Sequence, residues 1–275
     1  MQILDGKKAR IGRAENLKEQ LEGCKKSLVV VLVGDNKDSE VFVRMKQKFG
    51  KKIGVAVSVV KLEEQVLQDD LLKIISELNH DKKVGGIIVQ LPLPKHLKKE
   101  IVLDAILLQK DIDALSSIAR EVFYETKGKQ ATPATPRGIM SLLNFYKIDL
   151  NQKEAVVIGK SDLVGKPTAF LLEQAGARVT SCDRTTQDIP FFTKKADIII
   201  VAAGSPGLIT SEYITPDKKT VIIDVGITKD DQQKIHGDVD FDGVKDLVAG
   251  LSPVPGGVGP MTVISLFENF ADAVK

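Results

Sequence analysis

The stretch that decides the fold runs Ala155-Val156-Val157-Ile158-Gly159-Lys160-Ser161-Asp162-Leu163-Val164-Gly165-Lys166-Pro167. Its apolar start predicts a buried strand, its glycines predict a tight turn, and the helix-spaced apolar residues at 169–172 predict a helix. Val- and Ile-rich runs recur along the chain and are separated by longer stretches with helical spacing, at 27–33, 55–60, 86–90, 155–158, 178–181, 197–203 and 220–225. Because these runs are apolar throughout, they are typical of a parallel sheet covered on both faces, in an α/β fold.

The runs fall into two groups, three before residue 95 and four from 155 onward, in a chain of 275 residues. That length accommodates two cores, so we expect two lobes with a boundary between residues 114 and 135.

Composition excludes several classes of function. Lys and Arg number 39 against 37 Asp and Glu, and no basic stretch is interleaved with aromatic residues, so we expect no nucleic-acid partner. The apolar runs are too short to span a bilayer, and the first residues lack a signal peptide's apolar core, so we expect a cytoplasmic protein without membrane contact. Two cysteines and three scattered histidines predict neither a disulfide framework nor a metal site.

The turn after residue 158 resembles a dinucleotide-binding fingerprint, in which glycines let the backbone approach a pyrophosphate at a helix N-terminus. Gly159 and Gly165 supply the outer two glycines, although Ser161 replaces the middle one and Gly165 falls one position late. A P-loop is the nearest rival motif, but Pro167 stands where it needs Ser or Thr.

The end of the next strand is where such folds read the adenosine ribose. Asp183 could accept hydrogen bonds from the ribose hydroxyls of NAD, whereas Arg184 and Lys160 could pair with the 2′-phosphate of NADP. Glycines also close two later strands. The predicted cofactor-binding residues are Gly159, Lys160, Ser161, Val164, Gly165, Asp183, Arg184, Ala203, Gly204, Gly226 and Ile227.

The first lobe contains candidate catalytic residues, but none of them indicates an active site by itself. Phe42 and Lys46 share a face of the helix expected after residue 37, with Asp38 or Ser39 as its cap. By itself Lys46 is best interpreted as a surface lysine. In the same way, Gln90 is a polar strand end and Asp113 a possible helix cap.

A loop near the C-terminus, residues 252–262, has three prolines and three glycines in eleven residues. We expect it to be irregular throughout, because that composition opposes both helix and strand, and the apolar residues after it to start a helix. Such a loop suits ligand capture, and a plain tight turn is the alternative.

Together these motifs resemble a known family. The segments that carry the resemblance span the chain in order and are Leu4-Asp5-Gly6-Lys7, Val33-Gly34-Asp35-Asn36 with Ser39 and Lys46, Val89-Gln90-Leu91-Pro92-Leu93-Pro94, Lys110-Asp111-Ile112-Asp113, Thr135-Pro136-Arg137-Gly138, Val157-Ile158-Gly159-Lys160-Ser161 with Val164-Gly165-Lys166-Pro167, Gly237-Asp238-Val239-Asp240-Phe241 and Pro253-Val254-Pro255-Gly256-Gly257-Val258-Gly259-Pro260-Met261-Thr262. In this set the chain resembles the bifunctional methylenetetrahydrofolate dehydrogenase/cyclohydrolases.

The resemblance implies a fold and an activity. It implies a three-layer α/β folate-binding catalytic domain at residues 1–125, rejoined by a returning C-terminal helix at 264–275, and a Rossmann-type NAD(P)-binding domain at 126–263. It also implies a multifunctional cytoplasmic homodimer of one-carbon metabolism, serving purine biosynthesis. As oxidoreductase and hydrolase, that enzyme oxidises 5,10-methylenetetrahydrofolate with NADP and hydrolyses the methenyl product to 10-formyltetrahydrofolate.

Residue roles follow from the same resemblance. Lys46 matches the catalytic lysine, Gln90 the glutamine that orients it, and Asp113 the carboxylate that binds the pterin's amino-pyrimidine edge. These three are the implied catalytic residues. The implied folate-binding residues are Phe42, Lys46, Gln90, Asp113, Pro255, Gly256 and Gly257.

Departures from the family pattern leave alternatives open. Phe42 stands where tyrosine is usual, so a dehydrogenase with weak or absent cyclohydrolase activity is one alternative, and a non-catalytic folate- or nucleotide-binding relative is another. Ala114 replaces a glycine beside Asp113. Asp183 replaces a histidine, so NAD stays an alternative to NADP as the cofactor.

Overall fold

A computed structural model describes residues 1–216, 219–230 and 232–275. Its strands, in chain order, are β1 (Gln2–Ile3), β2 (Ser27–Val33), β3 (Val57–Leu62), β4 (Val84–Val89), β5 (Glu154–Ile158), β6 (Arg178–Cys182), β7 (Ile198–Val201), β8 (Val221–Asp224), β9 (Thr228–Lys229), β10 (Ile235–His236) and β11 (Gly250–Leu251). All seven predicted strands are present, and the four additional ones have only two residues each, too few to show a period in sequence.

Helices connect these strands. They are α1 (Gly6–Ala9), α2 (Ile11–Gln20), α3 (Lys37–Ile53), α4 (Gln68–His80), α5 (Lys99–Asp104), α6 (Ser117–Glu125), α7 (Ala134–Phe145), α8 (Gly165–Gln174), α9 (Ile189–Thr193), α10 (Phe241–Val244) and α11 (Val258–Val274), with 3₁₀ turns at Leu108–Lys110 and Ser211–Tyr213. None of the described helices is both long enough and apolar enough to cross a membrane.

The chain forms two compact units. The N-terminal unit comprises residues 12–134 and 263–275, and the C-terminal unit comprises 1–11 and 135–262. The expected assignment of the first residues to the N-terminal domain is therefore corrected. Residues 1–11 belong to the C-terminal unit, because Gln2 and Ile3 pair in parallel with Gly250 and Leu251.

The C-terminal unit is built on one six-stranded parallel sheet in the order β1-β11-β8-β7-β5-β6. Its central strands β7 and β8 are buried along their whole length. A mostly parallel open sheet with connecting helices is the architecture of Rossmann-type domains. Consecutive parallel strands place their carboxyl ends at one edge, and the predicted cofactor residues come from those ends.

The N-terminal unit has a three-stranded parallel sheet in the order β3-β2-β4. Residues 28–33 of β2 are buried without alternation, so the sheet is covered on both faces, as expected for three layers. The segment of α11 that belongs to this unit packs on β4, where a side chain on Gly86 would meet the ring of Phe270 at 3.1 Å. The predicted α/β fold class is confirmed.

The C-terminal loop is shorter than expected. We expected 252–262 to be irregular throughout, but α11 begins at Val258 and includes Gly259 and Pro260. Proline is tolerated there because the first turn of a helix has no intrahelical acceptor for its N–H groups.

Candidate functional site

Lys46 is buried, contrary to its interpretation as a surface lysine. Its exposed fraction is 7% on α3, and its Nζ donates to Oε1 of Gln90 at 2.7 Å. Gln90 follows the last residue of β4, and its own Nε2 donates to the carbonyl of Leu91 at 2.8 Å. The second bond fixes the amide so that its oxygen faces the lysine. The structure thus brings Gln90 and Lys46 into direct contact.

The charge state of Lys46 is altered by its surroundings. Burial lowers the pKa of Lys46, and the negative charge of Asp113 partly opposes that effect. Burial also raises the pKa of Asp113 to about 6, although the cation of Lys46 acts in the opposite direction. A lysine whose pKa is lowered loses its proton more readily, and its neutral amine can accept a proton from water.

Phe42 lies on α3 one turn before Lys46, and its side chain is half-buried. The N-cap of this helix differs from the expected one. Asn36, rather than Asp38 or Ser39, accepts from the backbone N–H groups of residues 38 and 39 at 3.0 and 2.9 Å. The turn that bears Asn36 also lines a cleft of about 360 Å³ at the ends of β2 and β4, with Val33, Gly34, Asp35, Glu64, Pro92, Leu93 and Pro94. Lys46, Gln90 and Asp113 are not part of its lining.

The glycine turn of the C-terminal unit is closely packed. Gly159 has φ of 110°, and a side chain there would meet the carbonyl oxygen of Ala202 at 2.1 Å. At the start of α8, a side chain on Gly165 would lie 1.8 Å from the carbonyl oxygen of Gly159. The first turn of α8 therefore rests on the strand–helix turn, and Ser161 accepts from the N–H groups of Val164 and Gly165 at 3.3 and 3.4 Å. Close packing of a helix start on a strand end is a role of glycine in dinucleotide-binding turns, and we call the segment between these two glycines the Gly159–Gly165 cradle.

Asp183 and Lys160 lie together at the ends of β6 and β5. Their Nζ and Oδ2 atoms are 3.2 Å apart, and Asp183 also accepts from the N–H and hydroxyl of Thr185 at 3.0 and 2.7 Å. The bonds from Thr185 and Lys160 lower the pKa of Asp183 to about 2. Arg184 is exposed beside this pair. The position therefore presents two cations and one firmly ionised carboxylate.

Two buried carboxylates hold the later strand ends, and neither is among the predicted site residues, although Asp238 belongs to a motif that carries the family resemblance. Asp238 accepts from the N–H groups of Ala203, Gly204 and Ser205 at 2.7, 2.9 and 2.8 Å. Asp224, at the end of β8, accepts from the N–H groups of Gly226, Asp238 and Val239 at 2.9, 3.0 and 3.0 Å. Their signal was the Asp-Val-Gly and Gly-Asp-Val motifs, which look like ordinary turns until the fold brings them together.

The remaining predicted residues all lie in the C-terminal unit. Pro255, Gly256 and Gly257 lie in the C-terminal unit, where Gly256 accepts from the N–H of Gly6 at 2.9 Å. Ala203, Gly204 and Ile227 are exposed near the ends of β7 and β8. In the described residues, no group of three His, Cys, Asp or Glu side chains could hold a metal ion.

Comparison with known families agrees with this geometry. Residues 4–113 match the catalytic domain of tetrahydrofolate dehydrogenase/cyclohydrolase, and residues 133–275 match the NAD(P)-binding domain of the same family. The chain belongs to the tetrahydrofolate dehydrogenase/cyclohydrolase family.

Individual members of this family are similar over the full length. The bifunctional protein FolD of Campylobacter jejuni is 42% identical and covers 100% of this chain and 99% of its own. FolD of Listeria innocua is also 42% identical, with 100% and 97% covered.

Solved structures of the family give the same result. The crystal structure of the Campylobacter jejuni bifunctional enzyme superposes with a TM-score of 0.95 at 41% identity, covering 100% of this chain and 98% of its own. The Trypanosoma brucei dehydrogenase-cyclohydrolase, complexed with NADP cofactor and inhibitor, gives 0.92 at 32% identity, covering 99% and 96%. The predicted family, its two activities and NADP as cofactor are confirmed.

Proposed function

We propose that Lys46, Gln90 and Asp113 carry the chemistry of both reactions, 5,10-methylenetetrahydrofolate oxidation and methenyltetrahydrofolate hydrolysis. The observation that carries the proposal is the buried hydrogen bond between Lys46 and Gln90. Burying a lysine costs the free energy of its hydration, and buried titratable groups held by such a bond are typical of active sites.

In the hydrolytic reaction, Lys46 moves the protons. Its neutral amine accepts a proton from water as the water oxygen bonds to the methenyl carbon. The added hydroxyl then loses its proton to solvent and becomes the formyl carbonyl as the bond from that carbon to N5 of the pterin breaks. N5 takes the proton that the Lys46 ammonium holds, which leaves the 10-formyl product and a neutral lysine. Burial favours the neutral amine that this role needs, and Gln90 holds its nitrogen in place.

In the oxidative reaction, the chain supplies mainly orientation. NADP, when bound, accepts the hydride from the methylene carbon. Asp113 binds the amino-pyrimidine edge of the pterin, because a carboxylate can accept two parallel hydrogen bonds from the N–H groups of that edge. Phe42 offers its ring to the folate without the hydroxyl that is usual in the family.

The residues of the C-terminal unit fit NADP. The Gly159–Gly165 cradle and the N-terminus of α8 would hold the pyrophosphate. Lys160 and Arg184 would hold the 2′-phosphate, and Asp183, ionised beside them, would weaken that preference by like-charge repulsion. We therefore propose NADP as the preferred cofactor with measurable use of NAD.

Purified protein tests the function directly. Methylenetetrahydrofolate-dependent reduction should be measured with NADP and NAD side by side, and hydrolysis of the methenyl form separately. We expect Lys46→Met to lower hydrolysis by about 10² to 10⁴, the usual contribution of a general base. Lys48→Met, at an exposed position on the same helix, is the matched control and should leave both rates unchanged.

Two outcomes would overturn the proposal. A wild-type protein without folate-dependent nicotinamide reduction would refute the assigned activity. Hydrolysis at the wild-type rate in Lys46→Met would instead refute the role of the lysine.

The family resemblance also supports a homodimer and a cytoplasmic location. Light scattering on the purified protein tests the first, with a mass near 29.9 kDa contradicting it. Fractionation of cells tests the second.

A further inference from the structure

The backbone after Asp113 is fixed by a buried carboxylate. Asp111 has an exposed fraction of 7% and accepts from the N–H groups of Ala114 and Ser116, both at 2.9 Å. These bonds hold the turn in which Ala114 adopts φ of 57°, a left-handed conformation unfavourable for alanine. The backbone that follows Asp113 is therefore held in a single conformation.

The backbone before Asp113 is fixed from a distant part of the sequence. Nδ2 of Asn269, in α11, donates to the carbonyl oxygen of Ile112 at 2.7 Å and to that of Thr132 at 2.9 Å. Both partners are acceptors, so the amide nitrogen must face them. The Ile112 carbonyl belongs to the same planar peptide unit as the nitrogen of Asp113. Asn269 thus fixes the plane from which the Asp113 side chain departs.

Asn269 is itself rigidly placed. The neighbouring Phe267 packs against Phe49 of α3, with ring centroids 5.2 Å apart, and the ring of Phe270 lies against Gly86 of β4. Helix α3 carries Lys46, and β4 leads into Gln90. The helix segment that orients Asp113 is therefore anchored on the two elements that present the other proposed catalytic groups.

We propose that Asn269 is a positioning residue for folate binding, acting through the Ile112–Asp113 peptide. The proposal rests on the proposed role of Asp113 in binding the pterin. Catalytic geometry is sensitive to displacements of about 1 Å, which cost on the order of 10²-fold in rate. The amide of Asn269 holds the peptide plane next to the binding carboxylate, so its loss lets that plane tilt and displaces the carboxylate.

The decisive experiment compares Asn269→Leu with Arg13→Met. The leucine keeps the side-chain size and removes both donated bonds. Arg13 pairs with Glu268, the adjacent residue of the same helix, with Nε to Oε1 at 2.7 Å, so its loss perturbs the helix without touching the Asp113 loop. We expect Asn269→Leu to raise the KM for methylenetetrahydrofolate about 10-fold or more, with the KM for NADP unchanged. Arg13→Met should lower the melting temperature and leave both KM values as in wild type.

A second substitution covers the case in which Asn269→Leu does not fold. Asn269→Gln retains the donor but displaces it by one methylene, so it should fold and still raise the folate KM. An unchanged folate KM in both Asn269 variants, or an equal rise in Arg13→Met, would overturn the positioning role.

Asp113→Asn separates this proposal from the one on which it rests. If Asp113→Asn leaves the folate KM unchanged, the role of Asp113 itself fails. If it raises that KM while the Asn269 variants do not, only the present inference fails.

Discussion

Replacing Gln90 should move the pH dependence of hydrolysis in a direction set by the replacement. In Gln90→Leu, the buried ammonium of Lys46 loses the acceptor that lies 2.7 Å away. A hydrogen bond to a charged group contributes about 1.5–3 kcal/mol, so its loss raises the ratio of neutral to charged lysine roughly 10- to 100-fold at a given pH. Hydrolysis needs the neutral amine and falls as the pH drops through the pKa of Lys46. The acid limb of Gln90→Leu should therefore lie at lower pH than in wild type.

Gln90→Glu is the matched opposite. A carboxylate at the same distance stabilises the ammonium and raises the pKa of Lys46, so its acid limb should lie at higher pH. Both variants should hydrolyse more slowly than wild type at their optimum, because neither holds the lysine as the amide does.

The assay is kcat/KM for methenyltetrahydrofolate hydrolysis across pH, with the uncatalysed rate subtracted at each point. Limbs that coincide in all three proteins would show that Lys46 does not set the profile. Shifts in the same direction for Leu and Glu would refute the electrostatic reasoning.

Three further predictions follow from particular residues. Gly165→Ala places a methyl group 1.8 Å from the Gly159 carbonyl oxygen, so NADP titration should show lost binding and thermal unfolding a loss of about 3 kcal/mol or more, whereas Gly12→Ala, with open space around it, should bind normally. Ala114→Gly relieves the left-handed strain, about 1 kcal/mol or more, against about 0.4–1 kcal/mol of added unfolded-state entropy, so denaturant titration should show the free energy of unfolding unchanged or slightly raised. Burial raises the pKa of Asp113 to about 6, so the folate KM should rise as the pH falls through 6 and the carboxylate is protonated. An unchanged KM down to about pH 5 would contradict that carboxylate's role.

The sequence was sufficient to predict those features whose physical requirement shows in a local pattern of residues. Buried parallel strands must be apolar along their length, so β2, β5 and β7 were evident in the sequence. The glycines at 159 and 165 were equally evident, because only glycine fits where two backbones touch.

The sequence was insufficient where a site depends on residues that are distant in sequence and meet only in the folded protein. Nothing in the residues around Lys46 indicates burial, since charged residues surround it in sequence, and the resemblance alone pointed to its role. Neither Asp224 nor Asp238 is among the predicted site residues for the same reason, because the backbone donors that they accept from become neighbours only in the folded sheet.

By itself, then, the sequence determined the α/β class, the nucleotide turn and, through ordered motifs, the family. Only the tertiary structure decided that Lys46 is buried against Gln90, that residues 1–11 complete the sheet of the C-terminal unit, and that Asn269 fixes the peptide before Asp113. The physical reason is range. Backbone sterics and hydrophobic period act over a few residues, whereas desolvation and hydrogen bonding of a buried group depend on partners that the chain supplies from far away.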